Sequence, residues 1–81
     1  MKLNRRQLKV IRSVYRLSLE EMAQLLGYTT GYVHQVENGT NPITKEYNDR
    51  VVEAFELTTG KLRGIVRTYR TYNISKLRRG K

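Results

Sequence analysis

Residues 17–42 read LSLEEMAQLLGYTTGYVHQVENGTNP, and the fold follows from how this stretch divides. Ser18 followed by Glu21 forms the S-x-x-E capping box, in which hydroxyl and carboxylate each satisfy a free backbone N–H at a helix start. Leu17 and Met22 are placed for the accompanying hydrophobic staple. A helix therefore begins at Leu19, with Leu19, Met22, Ala23 and Leu26 on one stripe at i, i+3, i+4 and i+7. Gly27 stops it, because a residue without Cβ enters left-handed backbone and lets the last carbonyls find donors. The following "TTG" is a poor helix interior but a sound entrance: Thr29 is a cap for a second helix, and Tyr28 can staple onto Val33. Val33 and Val36 form the buried side of that helix, while Thr30, Gly31, His34, Gln35 and Asn38 lie opposite. Asn38-Gly39 ends it, and Asn41, preceding Pro42, is biased toward extended geometry.

Outward from this pair, the apolar residues keep helical spacing. A segment from about Asn4 to Arg16 places Leu8, Ile11 and Tyr15 on one face, with Val10 and Val14 beside them. Thr44 can cap a fourth helix with Tyr47, Val51, Ala54 and Phe55 inward and Leu57 closing its inner face. Thr58 or Thr59 can cap a fifth, roughly to Tyr69, with Leu62, Ile65, Val66 and Tyr69 inward and Arg63, Arg67 and Arg70 on another side. The remaining TYNISKLRRGK is compatible with a longer helix, a strand or disorder. The expectation is an all-α, five-helix domain over residues 1–70 with a basic tail over 71–81.

Composition narrows the chemistry. Eighty-one residues make one small domain. Cysteine is absent and His34 is the only histidine, so no disulfide or thiolate metal site is available and neither metal nor cofactor is expected. The opening MKLNRRQLKV lacks the apolar block of a signal peptide, and no stretch approaches the roughly 20 apolar residues of a membrane span. That makes a cytoplasmic protein the expectation. The net charge of +9 is unevenly placed: residues 1–19 carry six Lys or Arg and no acid, residues 20–56 carry two bases and all seven acids, and residues 57–81 carry eight bases and no acid. Two wholly basic ends around an acidic middle suggest a module that approaches a polyanion, with nucleic acid ahead of an anionic membrane surface.

Two short helices joined by a glycine-containing three-residue turn have the plan of a helix-turn-helix, whose second helix enters a DNA major groove. Ala23 is small where the helices cross, Gly27 makes the turn, and Met22, Leu26, Val33 and Val36 fill the wedge. The whole stretch resembles the lambda-repressor-like (Cro/C1, or XRE) DNA-binding domains. The likeness rests on the Ala-x3-Gly spacing, the "YVHQVENG" ending of the second helix and the proline-containing loop, and it extends over roughly residues 5–70.

That resemblance implies a five-helix bundle whose third helix reads base edges, here with Thr30, Gly31, Tyr32, His34 and Gln35. The Gln35 amide can donate and accept at once toward the N6 and N7 edge of adenine. Phosphate contacts are expected from Ser18, Thr29, Asn38, Thr40, Asn41 and Lys45; on charge alone, the arm and tail residues Lys2, Arg5, Arg6, Lys76, Arg78, Arg79 and Lys81 could follow the backbone or a minor groove. The resemblance also implies a structural ion pair between Arg12 and Glu37, which removes the only orienting carboxylate near His34. No nucleophile, base and orienter can then be gathered, and an enzyme is not expected. One departure stands out: the family commonly carries glutamine directly after the second helix's cap, where this chain has Leu19.

The functional expectation is a sequence-specific double-stranded DNA-binding transcriptional regulator, a repressor acting by operator occupancy. Such proteins bind as homodimers on inverted half-sites about 34 Å apart, and Tyr69, Tyr72, Ile74 and Leu77 are the candidate dimer surface. The alternatives are an antitoxin-type protein-interaction module that also binds DNA, and a sequence-independent nucleic-acid binder.

Overall fold

The computed structural model describes the backbone of residues 1–79 and the side-chain surroundings of residues 1–71. It has five helices and, among the described residues, no strand: α1 Arg5–Val14, α2 Leu19–Leu26, α3 Thr30–Asn38, α4 Lys45–Ala54 and α5 Thr59–Arg79.

Each start is written locally. Asn4 caps α1 in a capping box with Gln7, Ser18 caps α2 in a box with Glu21, and Thr29 and Thr44 accept from the N–H three residues on. At α5 the choice falls on Thr58, whose hydroxyl oxygen accepts from Lys61 N. The helical alternative for the tail is the one observed, since α5 continues past Tyr69 to Arg79. The side chains of Tyr72, Ile74, Lys76, Leu77, Arg78 and Arg79, and the whole of Lys81, lie outside the described residues.

The core is built from Leu3, Leu8, Val10 and Ile11, from Met22, Ala23 and Leu26, from Val33 and Val36, and from Tyr47, Val51, Phe55, Leu57 and Ile65. α1 lies between α3 and α5, and α2 packs on α3 and α4. Burying these side chains is the main stabilising term in a domain without cross-links.

Three expectations need correction. The first helix ends at Val14, not near Arg16, because Arg16 takes a left-handed conformation with φ 55° and turns the chain into α2. Tyr15 sits at that end instead of on the inward face, 41% exposed, with its ring 4.9 Å from Phe55. Ala54 is exposed and not inward, in keeping with α5 packing on α1 and not broadly on α4.

Candidate nucleic-acid interface

Thr30, Gly31, His34, Gln35 and Asn38 form an exposed, uncharged row along α3, with Tyr32 half-buried at its edge. Glycine at Gly31 has no neighbour for a Cβ within 4 Å. The row is therefore open at its entrance, and nothing inside the protein requires the missing side chain.

Beneath α3, Tyr47 is fully buried and its ring stacks on Tyr28 at 5.2 Å, with Tyr32 packed against Tyr28 at 4.9 Å. Tyr28 thus meets tyrosine rings as well as the core that its staple position predicts. The Tyr47 hydroxyl has no hydrogen-bond partner, and burial, followed by the nearby Glu37 carboxylate, pushes its ionisation well above the usual tyrosine range.

Cationic side chains from other segments hold the helix corners. Arg12 Nε donates to Glu37 Oε1 and Oε2 at 3.1 and 2.9 Å, and its Nη1 donates to Leu17 O at 2.9 Å. Glu37 is only 3% exposed, so one guanidinium both neutralises a buried carboxylate of α3 and closes the α1–α2 corner. At the next corner Arg50 Nη1 donates to Leu26 O at 2.7 Å, and the guanidinium lies 4.7 Å from the Tyr28 ring centre. Arg5 lies across Gly39 at the exit of α3, where a Cβ would overlap its guanidinium. Lys61 Nζ donates to Phe55 O at the α4–α5 corner. Cations at helix C-termini satisfy carbonyls that have no partner within the helix and complement the negative end of the helix dipole.

These contacts change the meaning of the charge count. Residues 17–44 contain no Lys or Arg at all, Lys45 pairs with Asp49 at 2.8 Å, and Arg50 is engaged internally. Apart from Arg12, which is committed to Glu37, the cations beside α3 include Arg5, Arg6 and Lys9, which line a surface groove with Glu37 and Asn38 at the helix's exit. Arg5 and Arg6 belong to the first turn of α1 and are not part of an arm before it.

Lys2, also expected on an arm, is held in a docked segment. Leu3 is buried, its N–H donates to Asn48 Oδ1 at 2.8 Å, and Asn48 Nδ2 donates to Met1 O at 2.7 Å. With Lys2 exposed, this strap and the α3–α4 loop enclose a groove of roughly 730 Å³, lined in part by Lys2, Arg5, Asn41 and Lys45.

The remaining expected residues serve local geometry. Ser18 and Thr29 cap α2 and α3. The Ser18 N–H, followed by its hydroxyl, holds the Glu21 carboxyl below its usual range. Asn38 Oδ1 accepts from Thr40 N and Oγ1, and Asn41 Nδ2 donates to Gln35 Oε1 at 2.6 Å. Asn48, Arg50 and Lys61 were not singled out by sequence reasoning, because their partners are backbone atoms distant in the chain or have no pattern of their own. Among the described residues, no His, Cys, Asp or Glu cluster of metal-binding size occurs and no helix is long and apolar enough to cross a membrane.

Comparison with protein-family models, curated proteins and solved structures yields no match to this chain.

Proposed function

We propose that the chain is a sequence-specific double-stranded DNA-binding protein of the lambda-repressor-like helix-turn-helix class, with α3 as the element that enters the major groove. The observation that carries this reading is the construction of α3. Its uncharged, hydrogen-bonding row of Thr30, Gly31, His34, Gln35 and Asn38 is exposed as a unit, while its opposite side is packed through Val33 and Val36, Arg12 and Arg50 tie it to its neighbours, and Arg5 lies across Gly39 at its exit. A row of amide, hydroxyl and imidazole groups on a rigid helix suits base edges, and the Arg5, Arg6 and Lys9 cluster at its exit suits the phosphates alongside. Regulation of transcription by occupancy, as a homodimer on inverted half-sites, belongs to the same reading.

A second reading, sequence-independent binding, is favoured by the lack of any acid over residues 57–81. Selection from a randomised duplex pool, with the enriched duplexes titrated against salt, separates the two. Specific reading predicts an enriched motif and a Gln35→Ala variant that loses roughly 5- to 150-fold in affinity at one base position. If no motif enriches and binding merely falls with salt, the electrostatic reading replaces it.

A further inference from the structure

The loop after α3 is built to reach back to Gln35. Gly39 turns the chain with φ 89°, Asn38 Oδ1 holds Thr40 through both its N–H and its hydroxyl, and Asn41 N donates to Gln35 O at 3.1 Å. With its backbone fixed in this way, Asn41 also donates from Nδ2 to Gln35 Oε1 at 2.6 Å. Gln35 is exposed and Asn41 is half-buried, so the loop residue is the more enclosed partner.

We propose that Asn41 is a specificity-determining positioning residue: it turns the oxygen end of the Gln35 amide toward the loop and leaves the amino end leading outward. This rests on the reading of α3 as the base-reading helix. A primary amide has one accepting and one donating end, and in the major groove each base pair presents a keto oxygen on one strand and an amino group on the other. An outward amino group of Gln35 therefore selects a keto base on the contacted strand, guanine through O6 or thymine through O4. An unbraced glutamine accepts adenine equally well.

The inference also specifies a switch. Aspartate at position 41 only accepts, so in Asn41→Asp the Gln35 amino group must turn inward to donate to it, and the amide oxygen then faces out. The preferred base becomes an amino base, adenine through N6 or cytosine through N4. Added negative charge weakens binding to all duplexes together, so the base preference at one position is the informative quantity.

Duplex selection on the full chain, with Asn41→Asp, Asn41→Ala, Gln35→Ala and the Asn41→Asp/Gln35→Ala double variant, tests this. The expected result is a position that requires Gln35. There the parent chain favours guanine or thymine by about tenfold, Asn41→Asp favours adenine or cytosine, Asn41→Ala discriminates weakly, and the double variant matches Gln35→Ala. In the protein without DNA, amide NMR should show the Gln35 side-chain NH2 exchanging more slowly with water in Asn41→Asp. A parent motif whose Gln35-dependent base is unchanged by Asn41→Asp overturns the role of Asn41 and leaves the proposed function standing. Absence of any parent motif overturns both.

Discussion

The two corners on either side of α3 and the two outer corners solve one problem differently. At α2–α3 and α3–α4 the chain turns on Gly27 and Gly39, with φ 79° and 89°, and an arginine from another helix lies over each glycine. At α1–α2 and α4–α5 it turns on Arg16 and Glu56, with φ 55° and 49°, inside matching runs of aromatic, charged residue, Leu and hydroxyl: YRLS and FELT. Leu17 N donates to Arg12 O and Leu57 N to Val52 O, the same six-residue closure, and the two outer corners touch through Tyr15 and Phe55. Left-handed backbone alone thus does not demand glycine. Glycine stands where the turn must also admit a guanidinium, which happens at the two ends of the helix proposed to read DNA.

The largest effect should come from Arg12, which joins an outer corner to α3. Arg12→Ala leaves the Glu37 carboxylate buried and alone, and should cost about 3–5 kcal/mol in urea unfolding. Next is Gly27→Ala, where a Cβ would stand 2.9 Å from Arg50 Nη1. Left-handed strain plus a weakened bond to Leu26 O should cost about 2–3 kcal/mol. Gly39→Ala displaces only the far end of Arg5 and should cost about 1–2 kcal/mol. If Gly27→Ala proves as mild as Gly39→Ala, the sealing arginine adds nothing to the corner.

Tyr47, below the α3 entrance, gives an effect of opposite sign. Tyr47→Phe removes a buried hydroxyl without a partner and should stabilise by about 1 kcal/mol. The pH dependence follows from the same burial. Above the ordinary tyrosine value of 10.0 the unfolded chain releases a proton that the folded chain keeps, so stability falls as pH rises further. Thermal melts between pH 9 and pH 11, a range set about that value, should therefore decline less in Tyr47→Phe. The smallest effects belong to the outer corners. Arg16→Gly and Glu56→Gly relieve left-handed strain but add freedom to the unfolded chain, and each should stay within about 0.5 kcal/mol of the parent.

The contrast between corners also marks what the amino-acid sequence reveals. Ser18, Thr29 and Thr44 were readable as caps, and Gly27 and Gly39 as stops, because each acts on backbone within a few residues. The Asn4–Gln7 box obeys the same rule, although helical spacing marks Asn4 only as the approximate start of the first helix. The turns at Arg16 and Glu56 were not, since charged residues carry no signature of left-handed backbone; only the repeated pattern around them does. Arg50 reaching Leu26, and Asn48 reaching Met1 and Leu3, depend on tertiary placement. The pairing of Arg12 with Glu37 was legible through resemblance alone. The row on α3 was readable from helical period, but its tie to Asn41 depends on the path of a loop.

The Asn48 clasp has a consequence for the order of events during synthesis. Leu3, a core residue, meets its partner 45 positions later in the chain, which at ribosomal rates of roughly 5–20 residues per second is a wait of about 2–9 s. During that interval α1, α2 and α3 emerge without the strap. The strap can dock only once α4 has emerged and Asn48 is in place, so Leu3 joins the core only after residues made some 45 positions later.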